Sequence, residues 1–526
     1  MYTETKGNTA QGRYEQSETQ RELFLERARD SAKLTLPTLI PDNDYTNSTK
    51  YKTPYQGIGA RGVNNLASKL LLSLLPPNAP FFRLKMDDFV IKEIEGDENL
   101  KTSIEEGLSQ IERAIMTDID VMADRVAIFE ALKHLIVAGN VLLFVGEDGI
   151  RVFPLSRYVV KRDPSGNVLE IITKECLSPN ALPDEIRNQV IENLKGDEKT
   201  VDIFTHIHRV KDKFKIFQEV KGMPIPKTQG SFPIDKSPYI PLRFNRVDGE
   251  DYGRGYVEEY YGDLKSLEGL TRAIVEGSAA ASKVLFMVAP NGTTRARKLA
   301  ESPNGAIIEG SSNDVSVLQV NKFADFRIAY DTMNRIETRL QLAFLLNSSI
   351  QRNAERVTAS EIRFMAEDLE QALGGIYSIL SQEFQLPFVM RKMAMMEKNK
   401  KLPALPKSGV RPSIVTGLEA LGRGNDKNRL VSFLQTLAET LGAETIAKYI
   451  NVTDAVSRLA TSEGIDPKGL VRSEQELQAE MQAQQQAAQQ QQLEQVAGQV
   501  AGKVAGNIPP KSLGESLQQL ENQIGQ

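Results

Sequence analysis

The apolar positions between Asp251 and Lys398 read as a helix, a small strand-rich insert, a second helix, a polar loop and a long third helix. Tyr260, Leu264, Leu267, Leu270 and Ile274 recur at spacings of three and four, which puts them on one helical stripe. That stripe runs into Gly277-Ser278-Ala279-Ala280-Ala281-Ser282, small side chains that let another backbone approach closely. Three β-like runs follow: Val284–Val288, Ala306–Ile308 and Val315–Val320. Turn-forming residues around Asn291-Gly292, Asn304-Gly305 and Gly310–Asp314 separate them. Phe326, Tyr330, Met333, Ile336, Leu340 and Phe344 mark the second helix, which meets no Gly or Pro before Asn347. Neither stripe can be buried within so small a unit. The rest of the chain covers them, or other copies do, and periodicity leaves both open.

The polar stretch Asn347–Val357 carries Arg352 and Arg356 and the single acid Glu355, and is longer than a tight helix–helix turn requires. It reads either as a solvated loop or as a projection whose amide and guanidinium groups touch phosphates weakly. Thr358 or Ser360 then caps a helix, with Glu361 at capping-box spacing from Thr358. Gly374-Gly375 and Pro387 are expected to bend or break it.

Elsewhere, helices are expected over Glu15–Leu34 (with Leu23, Phe24, Ala28 and Ala32 along one side), Arg61–Leu75, Ile104–Val121 and Ala127–Val137. From Val141 the period shifts to strands, at Val141–Val145, Val152–Pro154, Tyr158–Lys161, Val168–Thr173 and Val201–Val210, with Phe214–Val220 extending the sheet. Asp163–Asn167 reads as a hairpin turn. Gly222–Pro241 and Leu402–Pro412 read as Pro-rich connectors, and Ser413–Asp426 and Arg429–Ile450 as helices. Between Gln478 and Gln492, 9 of 15 residues are Gln, so that stretch is a solvent-facing helix or a disordered tail with little to bury. The repeat Val496-Ala497-Gly498-Gln499 and its two successors place glycines at i,i+4, so either a neighbouring helix approaches closely there or the segment is flexible, the second being favoured.

Composition narrows the classes. A chain of 526 residues, 40% hydrophobic and 25% charged, is globular with several domains' worth of core. Its 64 basic and 69 acidic residues give a net charge of −5, which argues against tight binding to phosphates but not against a surface that DNA slides past. One cysteine, Cys176, allows no intrachain disulfide. Met1–Tyr14 is polar and the longest apolar runs are too short to span a bilayer, so a soluble protein made inside the cell is expected.

Chemistry-bearing motifs are sparse. Gly57-Ile58-Gly59-Ala60-Arg61-Gly62 matches G-x-G-x-x-G, but a polar stretch precedes it where a dinucleotide site needs a buried strand. The favoured reading is a helix start where chain passes close to chain. Neither a phosphate-binding P-loop nor a G-x-S-x-G elbow occurs. His206 and His208 alternate on one strand face, yet two ligands at that spacing are weak evidence for a metal. No cofactor, metal or catalytic set is expected, and the chain is read as a non-enzyme.

Several stretches in order resemble the portal, or head-to-tail connector, of short-tailed podovirus bacteriophages. They are Glu26–Asp30 running into Leu34–Pro37; Gly57–Phe82, with Asn64–Ala67 and Leu74–Phe82; Val137–Leu143; Tyr158–Asp163; Gly253–Tyr256; and Thr358–Ile362. The resemblance spans about residues 15–470. It implies an α+β, mainly α, portal fold with long stem and wing helices, a β-rich wing region and a small α/β clip, assembled as a ring. On that pattern 1–250 is an N-terminal wing, 251–283 a stem helix, 284–321 the clip and 322–346 the second stem helix. Residues 347–357 are the tunnel loop, 358–470 the long wing helix and C-terminal wing, and 471–526 a crown or barrel with the Gln-rich tail.

The implied function is a ring, usually of twelve, at one capsid vertex. Double-stranded DNA passes through it non-specifically during packaging and ejection. Asn347, Gln351, Arg352 and Arg356 would face the channel, and Arg295, Arg297 and Lys298 would serve clip docking. The implied partners are the terminase large subunit, the scaffold and major capsid proteins, a tail adaptor and internal core proteins, with no membrane. The implied location is the virion, after synthesis in the host cytoplasm. The alternatives are another capsid-assembly component, such as a scaffold or adaptor, or a soluble enzyme with an unrecognised site.

Overall fold

The computed structural model describes residues 9–42, 49–77, 80–86, 98–192, 199–281, 285–318, 323–346, 359–373, 375–402, 412–416 and 423–441, with isolated positions from 450 to 459. The chain divides into two compact units, Met1–Gly422 and Arg423–Gln526.

Helix α1 (Ala10–Lys33) starts at Thr9, whose hydroxyl accepts from the Gly12 amide. Its inner side holds Tyr14, Arg21, Leu25, Ala28 and Ala32, whereas Leu23, expected there, is 61% exposed. The reason is polar. Arg21 donates to the Tyr14 hydroxyl at 2.6 Å and the Ser156 carbonyl at 3.1 Å, so a charged residue occupies the inner line that apolar counting gave to leucine. After α2 (Ile58–Leu74) comes β1 (Phe82–Met86), then α3 (Glu98–Val121) and α4 (Asp124–Ala138), joined through Ala123 at φ +52°.

The strand region begins where expected, with β2 (Asn140–Gly146), β3 (Gly149–Pro154), β4 (Tyr158–Arg162) and β5 (Val168–Leu177). Helix α5 (Asp184–Glu192), not foreseen, precedes β6 (Val201–Val210) and β7 (Lys213–Val220). The expected 222–241 connector is instead three strands: β8 (Met223–Pro224), β9 (Gly230–Pro233) and β10 (Tyr239–Arg243). Its prolines misled the reading, because Pro241 sits in a strand at a sheet edge, where a missing N–H is tolerated. Strand order is β10-β2-β3 in one antiparallel sheet. In the larger sheet it is β4-β5-β6-β7-β8, with β9 also on β7. The Asp163–Asn167 turn joins β4 to β5 as read from sequence, with the Asp163 carboxylate accepting from the Asn167 amide at 2.8 Å.

The opening block then follows: α6 (Tyr256–Glu259), α7 (Tyr261–Ala281), β11 (Leu285–Val288), α8 (Ala296–Ala300), β12 (Val315–Leu318) and α9 (Phe323–Ala343). The expected strand Ala306–Ile308 does not form, and Ile307 is fully exposed. Beyond it lie α10 (Ala359–Ala372), α11 (Ile376–Leu380), one π-helical turn over Ser381–Gln385, and α12 (Leu386–Lys398). Gly375, at φ +89°, does break the long helix. Pro387 does not end the helix, but the π-helical turn Ser381–Gln385 lies directly before it, so the regular ladder is interrupted where the amide donor is missing. Strand β13 (Pro412–Thr416) pairs antiparallel with β1, Leu84 opposite Ile414, which overturns the helix expected from Ser413. That partner lies more than 300 residues away and leaves no local signal. The second unit contributes α13 (Arg423–Leu441). The Gln-rich segment and the Gly repeat lie outside the described residues.

One large core joins α2 (Val63, Leu66, Leu70), α4 (Ile128, Leu132, Leu135), β2 (Val141, Leu143) and the π turn and α12 (Phe384, Phe388). Leu264 and Leu267 of α7, Ile336 and Leu340 of α9 and Phe344 just after it belong to it, so two of the five residues of the first stripe and three of the six of the second are buried within the chain.

Candidate docking surface on the helix pair

Helices α7 and α9 run antiparallel. Arg339 pairs with Asp263 at 2.7 Å at one end, and the Phe326 ring lies over Gly277 at the other. A Cβ on Gly277 would come within 2.6 Å of that ring. Within the chain, Gly277 thus seats an aromatic ring, and Ser278, Ala279 and Ala280 after it are exposed.

The near end of the pair is fixed to the body. Tyr256, Tyr260 and Phe344 form an aromatic cluster with centroids 5.1 to 6.0 Å apart. The strap before α2 ties to α7: the Glu268 carboxylate accepts from the Tyr55 and Gln56 amides at 3.0 and 3.1 Å. The Tyr55 hydroxyl donates to Glu276, which also pairs with Arg272 at 2.9 Å.

The far end is different. Val275 of α7 and Ile328 and Tyr330 of α9 are exposed, as are Phe286, Met287 and Ile307 in the tip between the helices. Among the described side chains of 285–318 only Thr294 is buried. A module with no core of its own holds its shape by polar contacts. The Asp314 carboxylate accepts from the Thr293 amide at 2.7 Å, the Thr293 hydroxyl at 2.9 Å, the Thr294 amide at 3.0 Å and the Thr294 hydroxyl at 3.2 Å. These donors, the Thr294 amide foremost, hold the Asp314 carboxyl below the usual carboxylate range. Gly292 is required there, since a Cβ would meet the carboxylate at 2.5 Å.

The clamp presents α8, a helix that periodicity along this stretch did not show. Arg295 at its N-cap and Arg297 and Lys298 within it are all exposed, and Arg297 pairs with Glu301 at 2.9 Å. Asn347, Gln351, Arg352 and Arg356 lie outside the described residues.

The other motifs resolve into packing. Gly59 lies against the Leu34 carbonyl, which a Cβ would meet at 2.4 Å, and Gly62 against the Phe344 ring, also at 2.4 Å. The G-x-G-x-x-G run is thus a close chain crossing. His206 and His208 do share a face, with ring centroids 4.8 Å apart. His206 Nε2 meets Glu170 Oε1 at 2.6 Å, and Glu170 also accepts from Arg13 Nε at 2.5 Å and Nη2 at 3.0 Å. Burial alone would raise the Glu170 pKa, but the hydrogen bonds from His206 and Arg13 outweigh it and hold it at about 2. No cluster of three metal-binding side chains occurs among the described residues. No described helix is long and apolar enough to cross a membrane.

A family described as bacteriophage head to tail connecting protein matches residues 7–471. Similar curated proteins include the portal protein of Escherichia phage T7, 43% identical over 476 residues and covering 88% of each chain. The portal protein of Enterobacteria phage T3 is 41% identical, covering 89% of each, and that of Enterobacteria phage SP6 is 32% identical, covering 81% of this chain and 82% of that one. A solved structure titled as the neck of an empty GTA particle aligns over 78% of this chain and 91% of that one, at 12% identity and a TM-score of 0.33, a likeness too slight to carry weight.

Proposed function

The chain belongs to the bacteriophage head to tail connecting family, and from that premise we propose that it is a portal subunit that closes into a ring of twelve. The ring would stand at one capsid vertex and pass double-stranded DNA non-specifically, inward on packaging and outward on ejection. In this reading α7 and α9 are the stem, 284–321 is the clip, and 347–357 is the tunnel loop, with Asn347, Gln351, Arg352 and Arg356 toward the channel. The clip would dock the terminase large subunit and later a tail adaptor through Arg295, Arg297 and Lys298. Residues 1–250 and 358–470 would form the wing and 471–526 the crown, toward the scaffold, the capsid protein and internal core proteins.

The observation that carries the reading is the far end of the helix pair. Its apolar residues are open in a single chain, and the tip beyond it buries one side chain. A closed ring repeats one heterologous interface, so a patch left open on one copy is covered by a different patch on the next. With no nucleotide loop in the sequence, force for DNA movement would come from a partner. Twelve copies at −5 give about −60, which weakens DNA adhesion to the wall.

Mass photometry of the purified chain tests this. The expected particle is about 700 kDa, twelve times 58.4 kDa, with a central hole in negative stain. A monomer or dimer at every salt concentration would sink it.

A further inference from the structure

Helix α9, like α12 at Lys400, ends in a left-handed cap without glycine. The Leu346 amide donates to the Gln341 carbonyl at 2.8 Å and the Leu345 amide to the Leu342 carbonyl at 3.0 Å. These are the paired bonds of a Schellman cap, whose left-handed position is ordinarily glycine. Here it is Leu345, at φ +53°. A branched side chain in that conformation is strained, and it persists only where the surroundings dictate it.

The surroundings are specific. The last carbonyls of a helix have no partner within it. In α9 three successive ones are each taken by a side chain from another element. Tyr256 Oη donates to the Ala343 carbonyl at 2.8 Å. Asn65 Nδ2 donates to the Phe344 carbonyl at 2.9 Å and the Leu345 carbonyl at 3.1 Å. Lys69 Nζ donates to the Leu345 carbonyl at 2.8 Å, its ammonium at the negative end of the helix dipole. Lys69 is 6% exposed, and burial pushes the Tyr256 phenol up, so it remains a donor. Asn65 and Lys69 are one turn apart on α2, which Gly62 lets press onto the Phe344 ring.

From this geometry we infer that Asn65, Lys69 and Tyr256 are positioning residues for the segment that leaves α9. They hold Leu345 left-handed and so fix the direction in which the chain leaves α9 at Leu346. Glycine at 345 would permit the same turn but also many others; a leucine locked by four hydrogen bonds permits one. The inference rests on the reading of 347–357 as the loop that meets DNA, and adds the device that aims it.

The test uses the full-length ring carrying Asn65→Leu with Lys69→Met, which removes three of the four bonds and keeps side-chain bulk. Hydrogen exchange by mass spectrometry reads the Leu345 and Leu346 amides, and DNA retained per assembled particle reads the function. Exchange at those amides is expected to rise at least tenfold and DNA retention to fall, while Lys69→Arg, which keeps a donor, stays close to wild type. If the double variant does not assemble, Lys69→Met alone is measured the same way. Unchanged exchange in an intact ring overturns the clamp.

Raised exchange with full DNA retention overturns the positioning role. In that case Arg352→Ala with Arg356→Ala separates the two ideas. A retention defect there leaves the tunnel-loop reading standing without the clamp, whereas full retention there as well removes that reading too.

Discussion

At the residue scale, close packing and buried charge set the largest single-site effects. Gly59 touches the Leu34 carbonyl, a backbone atom that cannot rotate away. Gly59→Ala is expected to destabilise the chain by about 1–3 kcal/mol through overpacking, measured as a lower urea midpoint. The Glu170 carboxylate bridges α1 to the large sheet through Arg13 and His206, with only 7% of its side chain exposed. Its pKa is depressed to about 2 in the fold. The stability it contributes is therefore fully present above the ordinary carboxylate pKa near 4.5 and lost as pH falls toward 2. Glu170→Gln is expected to lower stability by on the order of 2–3 kcal/mol at pH 7, and the gap to wild type should close between pH 4.5 and 2 in thermal melts. A gap that stayed constant with pH would mean the contact is steric rather than ionic.

At the scale of elements, the tip between α7 and α9 shows how a short segment keeps a shape without a core. One carboxylate, Asp314, gathers four donors from Thr293 and Thr294, and the helix with three exposed cations begins directly after them. Exposed charges each contribute little, so the three act together or not measurably. Replacing Arg295, Arg297 and Lys298 with Glu is expected to leave the ring intact and weaken terminase binding by about tenfold in surface plasmon resonance. Unaltered binding would remove the docking assignment. Much of this block was legible in the sequence: both helices, two of the three strands and the turn residues fall where spacing put them. Helix α8 was not, since five residues carry too few turns to show a period.

At the scale of the whole molecule, segments far apart in sequence are joined by a few buried polar ties. Lys392 of α12, 1% exposed, lies 2.9 Å from Asp118 of α3 and 2.6 Å from Asp124 of α4. Burial pushes the Asp124 carboxyl up, and the Lys392 ammonium opposes that. Lys392→Met would leave the buried Asp124 carboxylate without its counterion, while Asp118 keeps the half-exposed Lys401, 3.9 Å away. It is expected to cost about 3–5 kcal/mol in chemical denaturation, far more than any exposed lysine in the chain. Asp124→Asn should cost less, because Asp118 still balances the ammonium.

The sequence by itself determined the helix and strand periods, the turns at Asp163–Asn167 and Gly375, and the run of motifs that marks the family. These depend on neighbours within a few residues, which the chain carries with it. Only the tertiary structure decided that Ser413 begins no helix but lies in a strand against Arg83–Lys85, that the proline-rich 222–241 segment forms sheet edges, and that Arg21 displaces Leu23 from the inner side of α1. It also decided that Leu345 sits where glycine is usual, because the side chains holding it come from Asn65, Lys69 and Tyr256. Most of these turn on partners far along the chain, such as Ser156 for Arg21, Phe144 for Tyr239 and Lys85 for Ser413. Local spacing contains no record of such partners, and hydrogen bonds to them outweigh the local preference.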